Sequence, residues 1–304
     1  MSALPHRQSP VAADVRLYNN RASYSLQAAL EIFRQSPVAH VAFVHPGDAE
    51  TGEEEDYTTT GTKDARVSHE RVQGRRRGQT VMNVPMIVTV VYEGEGEDED
   101  AQESYTVYLH SHKHSGLTEA ILAGTHGVTV TTTKIDGIVY SPVAQDHSLN
   151  YRSATFHLHQ GRVLSNDDQD LEEKRSALGA VVNTVTGYDR SSSIGRPDDA
   201  NTKRTTVMAF KIAAVSCKQR LGGHSSGSEP ATEVPPGKER DEFTGVVPCW
   251  TEFGQPIGYG IKKEQVETMS RRRNEEGKAF AFSSAWASDE AKIEGLGKRR
   301  SNSR

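Results

Sequence analysis

Apolar and polar positions alternate along this chain in short blocks, and the period of each block predicts an element. Leu26, Ala29, Leu30 and Phe33 recur at helical spacing within Ser23 to Gln35, and Pro37 stops that helix. Val38 to Val44 is a compact apolar run with the length of a strand. Thr80 to Tyr92 predicts a second strand, with Pro85 marking an edge or a bulge. Tyr105 to His110 predicts a third strand, and Ser115 caps a short helix reaching Leu122. Val128 to Ile135 and Gly137 to Val143 read as two strands joined by an Asp136-Gly137 hairpin turn. Ala154 to Val163 predicts another strand, Leu171 to Thr186 a long helix, and Thr205 to Val215 and Thr244 to Pro248 two more strands. Many short strands with few helices between them argue against a doubly wound parallel sheet. A small antiparallel barrel fits better, mainly β with flanking helices, because closure removes exposed sheet edges.

The blocks are interrupted by segments with little to bury. Residues 46–79 hold the acidic run Glu53-Glu54-Glu55-Asp56, a threonine run and Arg75-Arg76-Arg77, the composition of a disordered insert. Residues 222–240 are rich in Gly, Ser, Pro and charge and read as a loop. Residues 261–304 read as a charged, disordered tail with at most one solvated helix, and residues 1–16 as a flexible N-terminus. One barrel domain over 17–260 remains.

Composition narrows the function classes. With 304 residues and 35% hydrophobic content, the chain carries one ordinary core plus polar additions. A net charge of -5 argues against a nucleic-acid partner, which calls for a basic surface. No apolar run is long enough to span a bilayer, so no membrane partner is expected. The N-terminal residues lack the apolar core of a secretory signal, and Cys217 and Cys249 cannot build a disulfide framework, although one disulfide between them stays open. The cytoplasm is the expected location.

Candidate chemistry gathers where the third strand ends. His110, Ser111, His112, Lys113, His114 and Ser115 place cationic and hydroxyl donors between a strand and a helix start. That composition suits an anion such as a phosphate, but also a solvated polar turn. His110, His112 and His114 alternate and would share a face if the strand continued, yet it is expected to end near His110, so no metal site is expected. Arg152 suits bidentate contact with a phosphate or carbonyl edge and equally a surface ion pair. His40, inside an apolar strand, reads as a hydrogen-bonded core histidine. His147 is open between capping a loop and donating a proton.

Several separated motifs, taken in order, carry a resemblance. They are Arg21-Ala22-Ser23-Tyr24, Val38 to Phe43, Val84-Pro85-Met86, Leu109-His110-Ser111, Asn150-Tyr151-Arg152-Ser153, Lys218-Gln219-Arg220 and Gly245-Val246-Val247-Pro248. In this set the chain resembles the flavin-nucleotide-binding proteins of the pyridoxamine 5'-phosphate oxidase-like superfamily, over roughly Leu17 to Pro248. The resemblance implies an FMN-binding split β-barrel that forms a homodimer, with FMN in the groove between subunits. It implies cofactor contacts from Asn83, Val84, Pro85, Met86, His110, Ser111, Lys113, Ser115, Tyr151, Arg152, Ser153, Lys218 and Arg220, with no catalytic residue singled out. It implies an FMN-dependent oxidoreductase acting on a small organic molecule. A non-catalytic flavin carrier or sensor, and a haem-binding split barrel, share the same sequence features. One departure is Gly116, which stands where relatives carry Arg or Lys.

Overall fold

The computed structural model describes residues 21–45, 80–94, 101–124, 127–223 and 242–287. The expectations for 1–16, for the insert 46–79 and for most of the loop 222–240 lie outside the described residues.

In chain order the elements are β1 (Ala22–Ser23), α1 (Leu26–Gln35), β2 (Val38–His45), β3 (Thr80–Ile87), β4 (Thr89–Tyr92), β5 (Tyr105–Ser111), α2 (Gly116–Leu122), β6 (Val128–Tyr140), β7 (Ser148–Val163), α3 (Asp168–Thr186), α4 (Ser191–Ile194), α5 (Asp199–Arg204), β8 (Thr206–Arg220), β9 (Gly245–Pro248) and α6 (Lys263–Trp286). The strands form one antiparallel sheet in the order β3-β2-β6-β7-β8-β5-β4, with β1 added to β8 and β9 to β6. The sheet curls so that β3 approaches β5. The fold is mainly β with flanking helices, as the strand-rich pattern predicts.

Period-two alternation builds the core. Ala39, Val41 and Phe43 on β2, Val128 and Val130 on β6, Ala154, Phe156 and Leu158 on β7, and Met208, Phe210 and Ile212 on β8 all point inward and are buried. Helix α1 starts at Ser25, whose hydroxyl accepts the Ala28 N–H, and lays Leu26, Ala29, Ile32 and Phe33 into the curl. Phe33 stacks on Phe156 at 4.4 Å, fixing α1 against the middle of β7.

Four expectations change. Thr80 to Tyr92 is broken at Val88, whose N–H bonds the Pro37 carbonyl, so β3 and β4 lie at opposite margins of the sheet. Pro85 sits on the marginal strand β3, where its missing N–H costs no ladder bond. His40 is exposed rather than in the core, because alternation turns it away from Ala39 and Val41. Asp136-Gly137 is no hairpin turn: β6 runs through it as one strand with a bulge between Ile135 and Gly137. A Cβ on Gly137 would meet Val246 Cγ1 at 2.9 Å, so the missing side chain is what lets β9 pair there. The fourth change is α6, 24 residues long within the stretch read as a tail, burying Ser270, Gly277, Ala281, Ser284 and Ala285 against β6 and β9.

Candidate functional site

Strand β5 delivers His110 and Ser111 to the sheet margin, and the chain turns at once into α2. Ser115 caps that helix by accepting the Thr118 N–H at 3.3 Å. The Ser111, Ser115 and Thr118 hydroxyls form a triangle with sides of 2.8, 3.1 and 3.0 Å. Lys113 is exposed beside it. His110 is half-buried, its Nδ1 is buried with no hydrogen-bond partner, and burial lowers its pKa. Sequence reasoning overlooked Thr118 and His45. Thr118 was legible as the third residue of a helix capped by Ser115. His45 packs on Gly116, its Cδ2 3.4 Å from where a Cβ would stand, and its Nε2 lies 3.5 Å from Glu119 Oε2.

The β3 residues lie on the same flank, since Thr80 pairs with His45. Asn83 and Pro85 are exposed and Val84 and Met86 half-buried. One side of β3 has no strand partner among the described residues, so part of its backbone is free to bond a ligand edge.

Tyr151, Arg152, Ser153, Lys218 and Arg220 form a second group. Ser111 pairs with Thr206 at one end of β8, and Tyr151 with Arg220 at the other. The strand has 15 residues, roughly 50 Å if flat, which exceeds the length of a flavin nucleotide. Within one chain, no single cofactor touches both ends.

The structure also corrects the expected role of Arg152. Its Nε and Nη2 donate to the two Asp136 carboxylate oxygens at 2.8 Å each, both side chains are buried, and the Phe280 ring of α6 lies 3.3 Å from its guanidinium carbon. The guanidinium is committed to the interior: β6 and β7 place the pair one strand apart and α6 closes over it. Arg220 is likewise turned inward. Its Nη1 donates to Asn150 Oδ1 at 2.7 Å and its Nη2 to the Gly223 carbonyl at 2.7 Å. Ser153 Oγ bonds the Lys218 carbonyl at 3.2 Å. Tyr151 and Lys218 are half-buried, Tyr151 directly opposite Arg220 and Lys218 opposite Ser153, and burial raises the Tyr151 pKa. His147 Nδ1 lies 3.2 Å from the Ala144 carbonyl, the loop-capping geometry.

A cleft of about 530 Å³ lies elsewhere, between β4, β5 and α3, lined by Val91, Glu93, Tyr108, Glu172, Glu173 and Ala177 among others. The Tyr108 hydroxyl lies 2.7 Å from Glu93 and 3.0 Å from Glu173. Lys211 and Arg162 in turn pair with those carboxylates. None of the expected cofactor residues lines this cleft. Among the described residues no group of three His, Cys, Asp or Glu could hold a metal ion, and no helix is long and apolar enough to cross a membrane.

An antiparallel split barrel with a donor-rich β5–α2 corner defines a class, and comparison with known proteins gives the same one. Residues 77–219 match the family model described as pyridoxamine 5'-phosphate oxidase. The likeness to that family is carried by this segment of the chain. Among solved structures, the chain is similar to the flavocytochrome Anf3 from Azotobacter vinelandii, with 18% identity and a TM-score of 0.53 over 83% of this chain and 90% of that one. It is also similar to the FAD and haem binding protein from Mycobacterium smegmatis, with 19% identity and a TM-score of 0.51 over 79% and 90% of the two chains. These two likenesses establish the split-barrel fold. No curated protein matches the chain.

Proposed function

We propose that the chain is a flavoprotein that holds FMN between two copies of itself and acts as an oxidoreductase on a small organic molecule. The observation that carries this reading is the Ser111–Ser115–Thr118 hydroxyl triangle, with the exposed Lys113 in the same turn, on the same flank as the part-unpaired backbone of Asn83 to Met86. Hydroxyl and ammonium donors suit a phosphate, and a strand edge suits the polar rim of a flat ring. These residues fit the cofactor. Bound flavin would supply the electron and hydride transfer, while the protein orients it and excludes water.

The two-copy arrangement follows from the division of the expected residues along β8. Tyr151 and Lys218 can meet a cofactor held at the β5–α2 corner only if a second chain brings them there. The sheet has a face available for that contact. Phe33 of α1 and Phe280 of α6 meet the side of Phe156 and Arg152, and His40, Thr131, Thr155 and Ser216 stand in register on the other side. A cytoplasmic setting belongs to the same reading, supported by two free cysteines.

The test is an absorbance spectrum of the purified protein, followed by release and identification of any chromophore. Flavin bands with FMN released support the proposal, and turnover with a reductant separates an enzyme from a carrier. A colourless protein that fails to take up added FMN overturns it. A haem reading is the second one, favoured by His110, His112 and His114 along one short stretch, with the His112 and His114 rings 5.4 Å apart, and by the haem named for the similar Mycobacterium smegmatis protein. A Soret band would put it first.

A further inference from the structure

Among the described residues, the large apolar side chains most open to solvent are Ile257, Tyr259 and Ile261, all fully exposed. They occupy alternate positions of the arm that joins β9 to α6. The alternation is built into the backbone: Gly258 and Gly260 between them have φ of 151° and 142°, conformations that side chains disfavour. The arm is also pinned where it begins. Asn274 of α6 accepts the Phe253 N–H at 2.7 Å and donates to the Phe253 carbonyl at 2.9 Å. Held in this way, it leaves its three side chains with no cover among the described residues.

Among the described residues the same chain also carries a part-exposed apolar patch. Ile138 pairs with Leu149 on one side and Val247 on the other, so the three side chains lie abreast on β7, β6 and β9. Each keeps substantial exposure, 38%, 40% and 43% respectively. They stand on the sheet face opposite the one met by α1 and α6. Contiguous apolar surface of this kind marks a contact.

We infer that Ile257, Tyr259 and Ile261 of one chain pack on Ile138, Leu149 and Val247 of a second copy, so that two arms clasp the pair. The occupant is a second copy because one chain presents both halves of the contact and its described residues satisfy neither. A two-fold exchange covers both halves at once, in two equal contacts, which a different partner on the arm alone would not do. The patch also continues the sheet face assigned above to the two-copy arrangement, and the inference rests on that reading.

The test uses the full chain. Analytical ultracentrifugation compares the wild type with the triple variant Ile257→Ser, Tyr259→Ser, Ile261→Ser, whose altered side chains are fully exposed among the described residues. The dimer dissociation constant is expected to rise at least tenfold with the thermal midpoint unchanged. In a second measurement, a Tyr259→Cys chain and a Leu149→Cys chain, both carrying Cys249→Ser, are mixed and oxidised. A disulfide joining the two different chains supports the clasp. A wild-type dimer that the triple variant leaves intact, with no such disulfide, overturns the clasp and leaves the shared flavin groove standing. A monomeric wild type at micromolar concentration overturns both.

Discussion

Arg152 grips both carboxylate oxygens of Asp136 from the neighbouring strand, and neither side chain reaches solvent. Removing one partner strands the other charge in the interior. Arg152→Ala is therefore expected to lower stability by about 3–5 kcal/mol, read as a fall in the urea midpoint. The double replacement Arg152→Met with Asp136→Leu removes both charges and should cost much less. Equal losses for the single and double variants would show that the ion pair is not what the fold depends on.

Cofactor affinity should respond at the β5–α2 corner. Lys113→Ala and Ser111→Ala are each expected to weaken FMN binding by about tenfold, the size of one lost phosphate contact. Fluorescence quenching of added FMN measures it. Unchanged affinity in both variants would remove this corner from the phosphate site.

The two thiols should differ sharply. Cys217 is buried on β8 and its thiol pKa is pushed up to about 12, so almost no thiolate exists at neutral pH. Cys249 is partly exposed. In a thiol-reactive dye assay at pH 8, one cysteine should react promptly in the folded chain and the second only after denaturant is added. Two fast thiols would contradict the packing of β8 against α1.

Acid should destabilise the protein through half-buried imidazoles. Burial lowers the pKa of His110 and of His157 below the ordinary histidine value. The unfolded chain then binds more protons than the folded one once pH drops below about 6.5. Stability is full above that pH and falls as pH descends toward the folded-state values. The double variant His110→Gln with His157→Gln should flatten the thermal midpoint between pH 7 and pH 5. An unchanged slope would assign the acid sensitivity to other groups.

Elements with a strict local period were legible in the sequence. The α1 face from Leu26 to Phe33, the alternation of β2 and of β7 from Ala154 onward, and Ser115 as a cap needed no knowledge of partners, whereas Ser148 to Ser153, read as lying between strands, opens β7. What the sequence hid was decided by contacts far apart in the chain. Asp136-Gly137 carries a turn signal, yet the aspartate is held by Arg152 and the glycine makes room for β9. Helix α6 buries Gly277, Ala281, Ser284 and Ala285, residues too small to leave an apolar stripe, so its packing gave no periodic sign. The candidate site divides in the same way. The donor corner around Ser111 is one continuous stretch of chain, whereas the inward turn of Arg152 and Arg220 depends on Asp136, Asn150 and α6.

The Phe280 ring over Arg152 also sets the smallest piece of this protein that can stand alone. A fragment cut to the family-matched residues 77–219 would lose α1 and β2 on one side, and β9 with α6 on the other. Phe156 would lose its stacking partner and Arg152 its roof, exposing a charged pair that the intact chain keeps dry. The recognisable segment is thus shorter than the folding unit. Anyone trimming the chain for expression has to carry it from Arg21 through Trp286.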